Sequence, residues 1–324
     1  MLLLKLIVLL LGLAFACFGY QIRFRKQYQL INGFEADFKA GRKDEVYAKR
    51  VGTTEFVLGL ALLAVGLALL LVPSGPQGAL ETIRARGVLR VGTAGDYQPM
   101  SYLDPESGKY VGFDAELAED LAAALSVELE YVETSWPTLM EDTLAGKFDL
   151  AICGITITET RREQALMSIG YLGNGKTVLC RAEDADKYTS LEAINRPEVR
   201  VMENPGGLNE KFARENLPDA TLTIHNVNQE IPGLVASGEA DVMITEIMEA
   251  GYYVGQDSRL AAPLIYSPFT RGKLGVLMPK GSEDLLGFVN AFLEKEIASG
   301  RRDELAEKYI YRYIDAEEEL EPAA

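Results

Sequence analysis

The chain has 324 residues, 48% of them hydrophobic, and a formal charge of −16, a size that exceeds the needs of one compact core and points to two folding units beside any membrane part. The acidic balance repels nucleic acid and anionic lipid headgroups and so argues against a nucleic-acid partner. His225 is the single histidine, Cys17, Cys153 and Cys180 lack metal-ligand spacing, and no Gly-x-Ser-x-Gly turn supplies a nucleophile, so metal and serine-hydrolase chemistry are excluded and no cofactor is expected.

Two near-continuous apolar runs open the chain, at residues 2–20 and 56–72, each about the length that crosses a bilayer as a helix. Ala14-Phe-Ala-Cys17 faintly resembles a lipoprotein cleavage site, but the second run follows closely and a membrane hairpin fits better. Between the runs, eight basic residues from Arg23 to Arg50 outnumber five acids. Basic excess in a short loop places that loop in the cytoplasm, which puts everything after Val72 outside it.

Pro73-Ser-Gly-Pro-Gln-Gly78 breaks the second run, and a helix is expected from Ala79 until Gly87. Strand and helix patterns then alternate: a strand at 88–92, a helix at 113–125 with Leu117, Leu121 and Leu125 on one face, and strands at 127–132, 150–153 and 176–180, with helices at 136–145 and 161–166 between them. A second series has strands at 199–202, 221–225 and 242–245, helices at 209–216 and 230–237, and another helix from Glu246. A strand at 273–278 and helices at 285–299 and 304–311 close the pattern. Such alternation implies parallel βαβ units, here an α/β domain of two lobes at residues 79–316. Lobe 1 is expected at about 79–178 plus 275–316 and lobe 2 at about 179–274. The two crossing strands make a hinge, and ligands of such proteins bind between the lobes. The acidic tail, 317–324, has a disorder-type composition.

Gly87-Val-Leu-Arg-Val-Gly-Thr93, Gly112-Phe-Asp-Ala-Glu-Leu-Ala118 and Ala240-Asp-Val-Met-Ile-Thr245 resemble family 3 extracellular solute-binding proteins over about residues 79–313. Within that family, Gly95-Asp-Tyr97, Thr134-Ser-Trp-Pro-Thr-Leu-Met140, Lys147-Phe-Asp149, Asn204-Pro-Gly-Gly207 and Glu249 are most similar to the cyclohexadienyl dehydratases, which convert prephenate or arogenate to phenylpyruvate or phenylalanine. The resemblance implies a periplasmic-binding-protein fold and a small carboxylate or amino-acid ligand. In the transport branch it also implies an ABC permease as partner.

Thr156-Ile-Thr-Glu-Thr-Arg161 follows a strand and opens a helix, gathering a hydroxyl, backbone N–H groups and a guanidinium at a spot suited to a carboxylate. The resemblance makes Arg161 the anchor of the ligand carboxylate. Asn204, Gly206 and Gly207 form a turn before a helix, where backbone can approach a ligand; Leu208 departs from the threonine of the dehydratases. Asp96, Tyr97 and Trp136 follow predicted strands and are candidate ligand contacts. Glu246 occupies a position where transport proteins carry an aspartate for the ligand ammonium, and Glu249 matches the catalytic acid of the dehydratases. His225 and Lys273 also fall at positions of interest, His225 matching a dehydratase histidine.

Overall fold

A computed structural model describes residues 2–71 and 78–314; Val72 and the acidic tail lie outside the described residues. The chain divides into two compact units, residues 1–77 and 78–324.

In the first unit, helix α1 (Leu2–Arg23) packs against α3 (Glu45–Leu71), with the short α2 (Phe34–Lys39) in the connecting loop. The second helix begins 11 residues before the apolar run at 56–72, because Glu45 to Arg50 continues the helix as a polar first turn and a half. Both α1 and α3 are long and apolar enough to cross a membrane. Their contact is made through glycine: a Cβ on Gly59 would lie 2.2 Å from the Ala16 backbone nitrogen, and one on Gly19 would lie 2.2 Å from that of Phe56. Gly52, Gly59 and Gly66 are buried at seven-residue spacing, which keeps one small-residue stripe on the seam and lets the backbones approach. Leu60 points away from the seam, half exposed.

The second unit begins with α4 (Ala79–Arg86), stopped by Gly87 in the left-handed conformation. Strand β1 (Val88–Thr93) follows, then the small antiparallel sheet β2 (Asp96–Tyr97), β3 (Ser101–Leu103) and β4 (Tyr110–Val111), then α5 (Phe113–Leu125) and β5 (Glu128–Glu133). Leu117, Leu121 and Leu125 are buried as their spacing requires. Helix α6 (Leu139–Leu144), β6 (Leu150–Ala151), α7 (Glu159–Gln164), β7 (Leu166–Met167) and β8 (Leu172–Asn174) complete the first run. Helix α7 starts at Glu159 because the Thr158 hydroxyl accepts from the Arg161 N–H at 3.2 Å, and Leu166 already belongs to a strand.

Lobe 2 contains β9 (Lys176–Arg181), α8 (Leu191–Ile194), β10 (Arg200–Glu203), α9 (Leu208–Asn216), β11 (Thr221–Ile224), α10 (Ile231–Ser237), β12 (Val242–Glu246), α11 (Ile247–Gln256) and β13 (Leu260–Ala261). The chain returns through β14 (Gly272–Leu274) and β15 (Leu277–Met278) to α12 (Glu283–Ser299) and α13 (Arg301–Tyr309). The lobe 1 sheet runs β5-β1-β6-β15-β7 and the lobe 2 sheet β11-β10-β12-β9-β13. Strands β5, β1 and β6 of lobe 1 and β11, β10 and β12 of lobe 2 pair in parallel, while β15, on the returning chain, and β9, which enters lobe 2, pair antiparallel with their neighbours. Strand β12, in the middle of its sheet, is buried at every residue, as a strand covered on both faces must be.

The strand expected at 273–278 is two strands. Residues 272–274 pair with β8 as a separate two-stranded ladder, and 277–278 enter the lobe 1 sheet. The break lies at Gly275, whose missing side chain leaves room for Ile157, 2.7 Å from where a Cβ would sit. The β8–β14 ladder is therefore the double crossing between the lobes. Replacing Gly59 by Leu should prise α1 from α3 and lower the thermal midpoint of the hairpin in detergent, followed by circular dichroism, whereas Leu60→Ala should leave it nearly unchanged. Equal midpoints for the two variants would show that the glycine seam does not hold the pair.

Candidate functional site

The loops and strand ends facing the cleft carry the site, among them the segments after β1, β5, β6, β10 and β12. Tyr97, Trp136, Thr156 and Arg161 come from lobe 1, and Asn204, Gly207, Glu246 and Glu249 from lobe 2; all line one cavity of about 30 Å³ between the lobes. That volume holds on the order of one or two waters, so a ligand enters only when the lobes part. Leu208, Thr156 and Glu246 line both this cavity and a neighbouring one of about 270 Å³, which makes Leu208 part of the wall between them.

Glu246 is the last residue of β12 and the N-cap of α11 rather than a helical residue. Its carboxylate crosses the cleft. The Tyr97 hydroxyl donates to Oε2 at 2.6 Å and the Thr156 hydroxyl to Oε1 at 2.9 Å, both from lobe 1. From lobe 2, the Lys176 ammonium stands 3.3 Å from Oε1 and also donates to Asn209. Burial pushes the Glu246 pKa up, but the Lys176 charge and the Tyr97 and Thr156 hydrogen bonds outweigh it and hold the group below its ordinary value.

Glu249, one turn further on, has the opposite surroundings. It is 1% exposed, and Asn228 Nδ2 donates to its Oε1 at 2.8 Å while Thr245 Oγ1 contacts Oε2. Burial dominates over those two hydrogen bonds, and with the nearby Asp96 and Glu246 carboxylates it raises Glu249 to about 8. Glu249 is thus mostly a neutral acid at neutral pH.

Arg161 donates Nη1 to the Thr156 carbonyl at 2.7 Å and makes no ion pair among the described residues. Burial lowers its pKa and the Glu246 charge opposes that shift; an arginine remains cationic regardless. A charge with no carboxylate of its own is a place for a ligand's carboxylate. Tyr97 and Trp136 meet edge to face with ring centroids 6.0 Å apart. Gly154, with φ +73°, makes room for Tyr97, whose Cε1 would lie 2.1 Å from an added Cβ.

Two expected contacts stand back from the cavity. The Asp96 carboxylate accepts from the Trp136 indole N–H at 3.0 Å, so it orients the tryptophan and does not line the cavity. Gly206 packs on Pro137 and its N–H donates to Glu210 at 2.6 Å. His225 pairs with Glu230 at 2.6 Å away from the cavity lining, and Lys273 is exposed on β14. Gly154, Asn209 and Asn228 line the cavity and Lys176 completes the site; of these, Gly154, Lys176 and Asn228 did not stand out in the sequence. Lys176 was legible only as a charged residue heading an apolar strand, and Asn228 carried no local signal.

Residues 89–312 match the model of the bacterial extracellular solute-binding proteins, family 3. A cyclohexadienyl dehydratase from Pseudomonas aeruginosa is 38% identical over 241 residues, covering 74% of this chain and 89% of that protein. The crystal structure of an ancestral amino acid-binding protein, a precursor of cyclohexadienyl dehydratase, is also 38% identical and superposes with a TM-score of 0.67 over 71% of this chain and 99% of that one. A putative ABC-transporter binding component from Wolinella succinogenes, complexed with lysine, is 28% identical with a TM-score of 0.65 over 72% and 98%.

The Lys176–Glu246 pair can be tested by its pH dependence. With Lys176 present, Glu246 stabilises the fold above its unfolded pKa and loses that contribution as pH falls. In Lys176→Met burial prevails, the pKa rises, and stability is lost as pH increases. The variant should lose roughly 3–5 kcal/mol at about pH 8 and clearly less near pH 5, measured by chemical denaturation. An equal loss at both values would remove the electrostatic account.

Proposed function

The chain belongs to the bacterial extracellular solute-binding proteins of family 3, and from that membership we propose that its cleft closes on a small cyclohexadienol carboxylate, prephenate or arogenate, and eliminates its ring hydroxyl and ring carboxylate. One observation carries this reading above the others: a buried glutamic acid, Glu249, is raised to about 8 inside the cleft, facing the same cavity as the uncommitted cation Arg161. Aromatisation needs these parts. The bond from the ring to its carboxylate breaks and carbon dioxide leaves, the electron pair enters the ring as the carbon–oxygen bond breaks, and the proton of Glu249 leaves with the hydroxyl as water. Solvent then reprotonates the carboxylate. Arg161 anchors a carboxylate that is retained in the product, Asn204 and the N–H groups at Gly207 approach the other polar groups, and Tyr97 and Trp136 flank the ring.

The amino-acid receptor is the second reading, supported by the amino acid-binding relatives and by Arg161. Against it, the carboxylate expected to meet a ligand ammonium, that of Glu246, already has an ammonium of its own in Lys176 at 3.3 Å. In either case α1 and α3 tether the domain to a membrane, the basic loop between them lies in the cytoplasm and the binding domain outside it. An ABC permease is the partner of the receptor reading.

The full chain in detergent, incubated with prephenate and with arogenate, should yield the aromatic product. Glu249→Gln should lower kcat at least about 100-fold, and Arg161→Ala should mainly raise KM, by about 10-fold or more. Because the acid acts protonated, kcat should fall as pH rises through about 8. No aromatic product from either substrate would overturn the dehydratase reading. Lysine or arginine raising the melting temperature of wild type but not of Arg161→Ala would favour the receptor.

A further inference from the structure

The two lobes and the acid meet at Asn228. This residue begins the single 3-10 turn before α10 and is 4% exposed. Its amide nitrogen serves both lobes: Nδ2 lies 3.0 Å from the backbone carbonyl of Asp96 in lobe 1 and 2.8 Å from Glu249 Oε1 in lobe 2. A carbonyl oxygen can only accept, so the amide cannot be turned round without setting oxygen against oxygen. The neighbouring Gln229 reaches the Gly95 carbonyl at 3.4 Å, tying the same turn to the same lobe 1 loop. Other contacts between the lobes, such as Gln98 with Tyr252 and Tyr97 with Glu246, do not touch Glu249.

We propose that Asn228 is a positioning residue that joins lobe closure to the protonation of Glu249, so that the acid keeps its proton only while the lobes are shut. The proposal rests on the reading of Glu249 as the acid of the cleft. Opening the cleft must break the bond to Asp96, which lies on the opposite lobe, and admits water to Glu249. The groups facing Glu249 are Asp96 and Tyr97 from lobe 1, Glu246 at the head of its helix, Glu203 from β10, and Tyr253 on α11, with Lys176 and Arg161 as the cations of the cleft. In the closed cleft the Asn228 hydrogen bond lowers the Glu249 pKa and burial raises it, burial being the larger. Two roles for Asn228 therefore predict opposite signs. If it only donates a hydrogen bond, removing it raises the pKa; if it holds the cleft shut, removing it hydrates the carboxyl and lowers the pKa.

Trp136 is the single tryptophan of the chain and lines the same cavity, so its emission reports both closure and the charge on Glu249. The experiment is a pH titration of that emission for the full chain in detergent, from about pH 5 to about pH 10. Wild type should show a transition near 8 that is missing in Glu249→Gln. In Asn228→Leu the transition should fall by at least about one pH unit, with emission red-shifted at neutral pH. Asn228→Ser, which keeps the turn polar, should move the same way and serves if the leucine variant melts. A transition that stays in place or rises in a folded variant, or a wild-type chain with no Glu249-dependent transition, overturns the proposal. The readout is independent of turnover: a falling transition in a chain that makes no aromatic product keeps the coupling and removes the dehydratase assignment.

Discussion

A carboxylate at the end of a buried central strand has to be satisfied by whatever surrounds it, and Glu246 draws its partners from both lobes. Lys176 reaches it from the first residue of β9, the strand beside it, with which it shares the Glu246–Lys176 register. Tyr97 and Thr156 reach it from lobe 1. Removing a partner from a buried ion is far more costly than forming the pair was favourable, so these contacts constrain the geometry of the cleft more than they add net stability. Tyr97 is held where Gly154 leaves it room, Trp136 is held edge-on to Tyr97, and Asp96 is committed to the indole. One carboxylate at a strand end thus orders the aromatic wall of the other lobe, 149 residues away at Tyr97.

Glu246 and Glu249 show how position along one turn decides charge. Glu246 has an ammonium and two hydroxyl donors and stays ionised; Glu249 has one amide and one threonine hydroxyl in nearly the same depth of burial and stays protonated. Each makes the other's state firmer, since a charge on Glu246 opposes a second charge three residues away. Two carboxyl groups with pKa values driven apart are the usual arrangement for separating the roles of anion and acid within one site. On the proposed reading Glu246 is the fixed anion that organises the cleft, and Glu249 is the proton donor.

Much of this was legible in the sequence. The helix at 113–125 and the strand at 242–245 were written in apolar spacing, and Thr156 with Arg161 announced a donor cluster through the strand-to-helix turn between them. Glu249 was visible by its place after β12, yet its protonation was not, because the helix start argues for the ionised form and only the depth of burial reverses that. Lys176 and Asn228 were hidden for a different reason. Each acts through a partner far along the chain, at 70 and 132 residues' separation for Glu246 and Asp96, and no local pattern encodes such a contact. Asp96 and Gly206 differ in another way: both lie in the expected loops, but in this structure the Asp96 carboxylate accepts from the Trp136 indole and the Gly206 N–H donates to Glu210. The split strand at 272–278 followed from Gly275, where the chain leaves the crossing ladder for the lobe 1 sheet.

A cleft that closes over its ligand is already a device for desolvation, and this is the property a proton-donating carboxyl needs. A binding protein uses closure to strengthen electrostatic contacts with a ligand. The same exclusion of water raises any carboxyl that lacks a cation. In this chain Lys176 is paired with Glu246, and Arg161, which makes no ion pair among the described residues, lines the same cavity as Glu249; on the proposed reading it attracts the ligand's carboxylate. The distribution of two positive charges among two glutamates and one prospective ligand is therefore the physical core of the site. Shifting Lys176 toward Glu249 would ionise the acid, and removing Arg161 would remove the reason for an anion to enter. On the proposed reading, catalytic competence follows from where the counter-charges sit, with the two-lobed frame supplying the dry interior in which their placement matters.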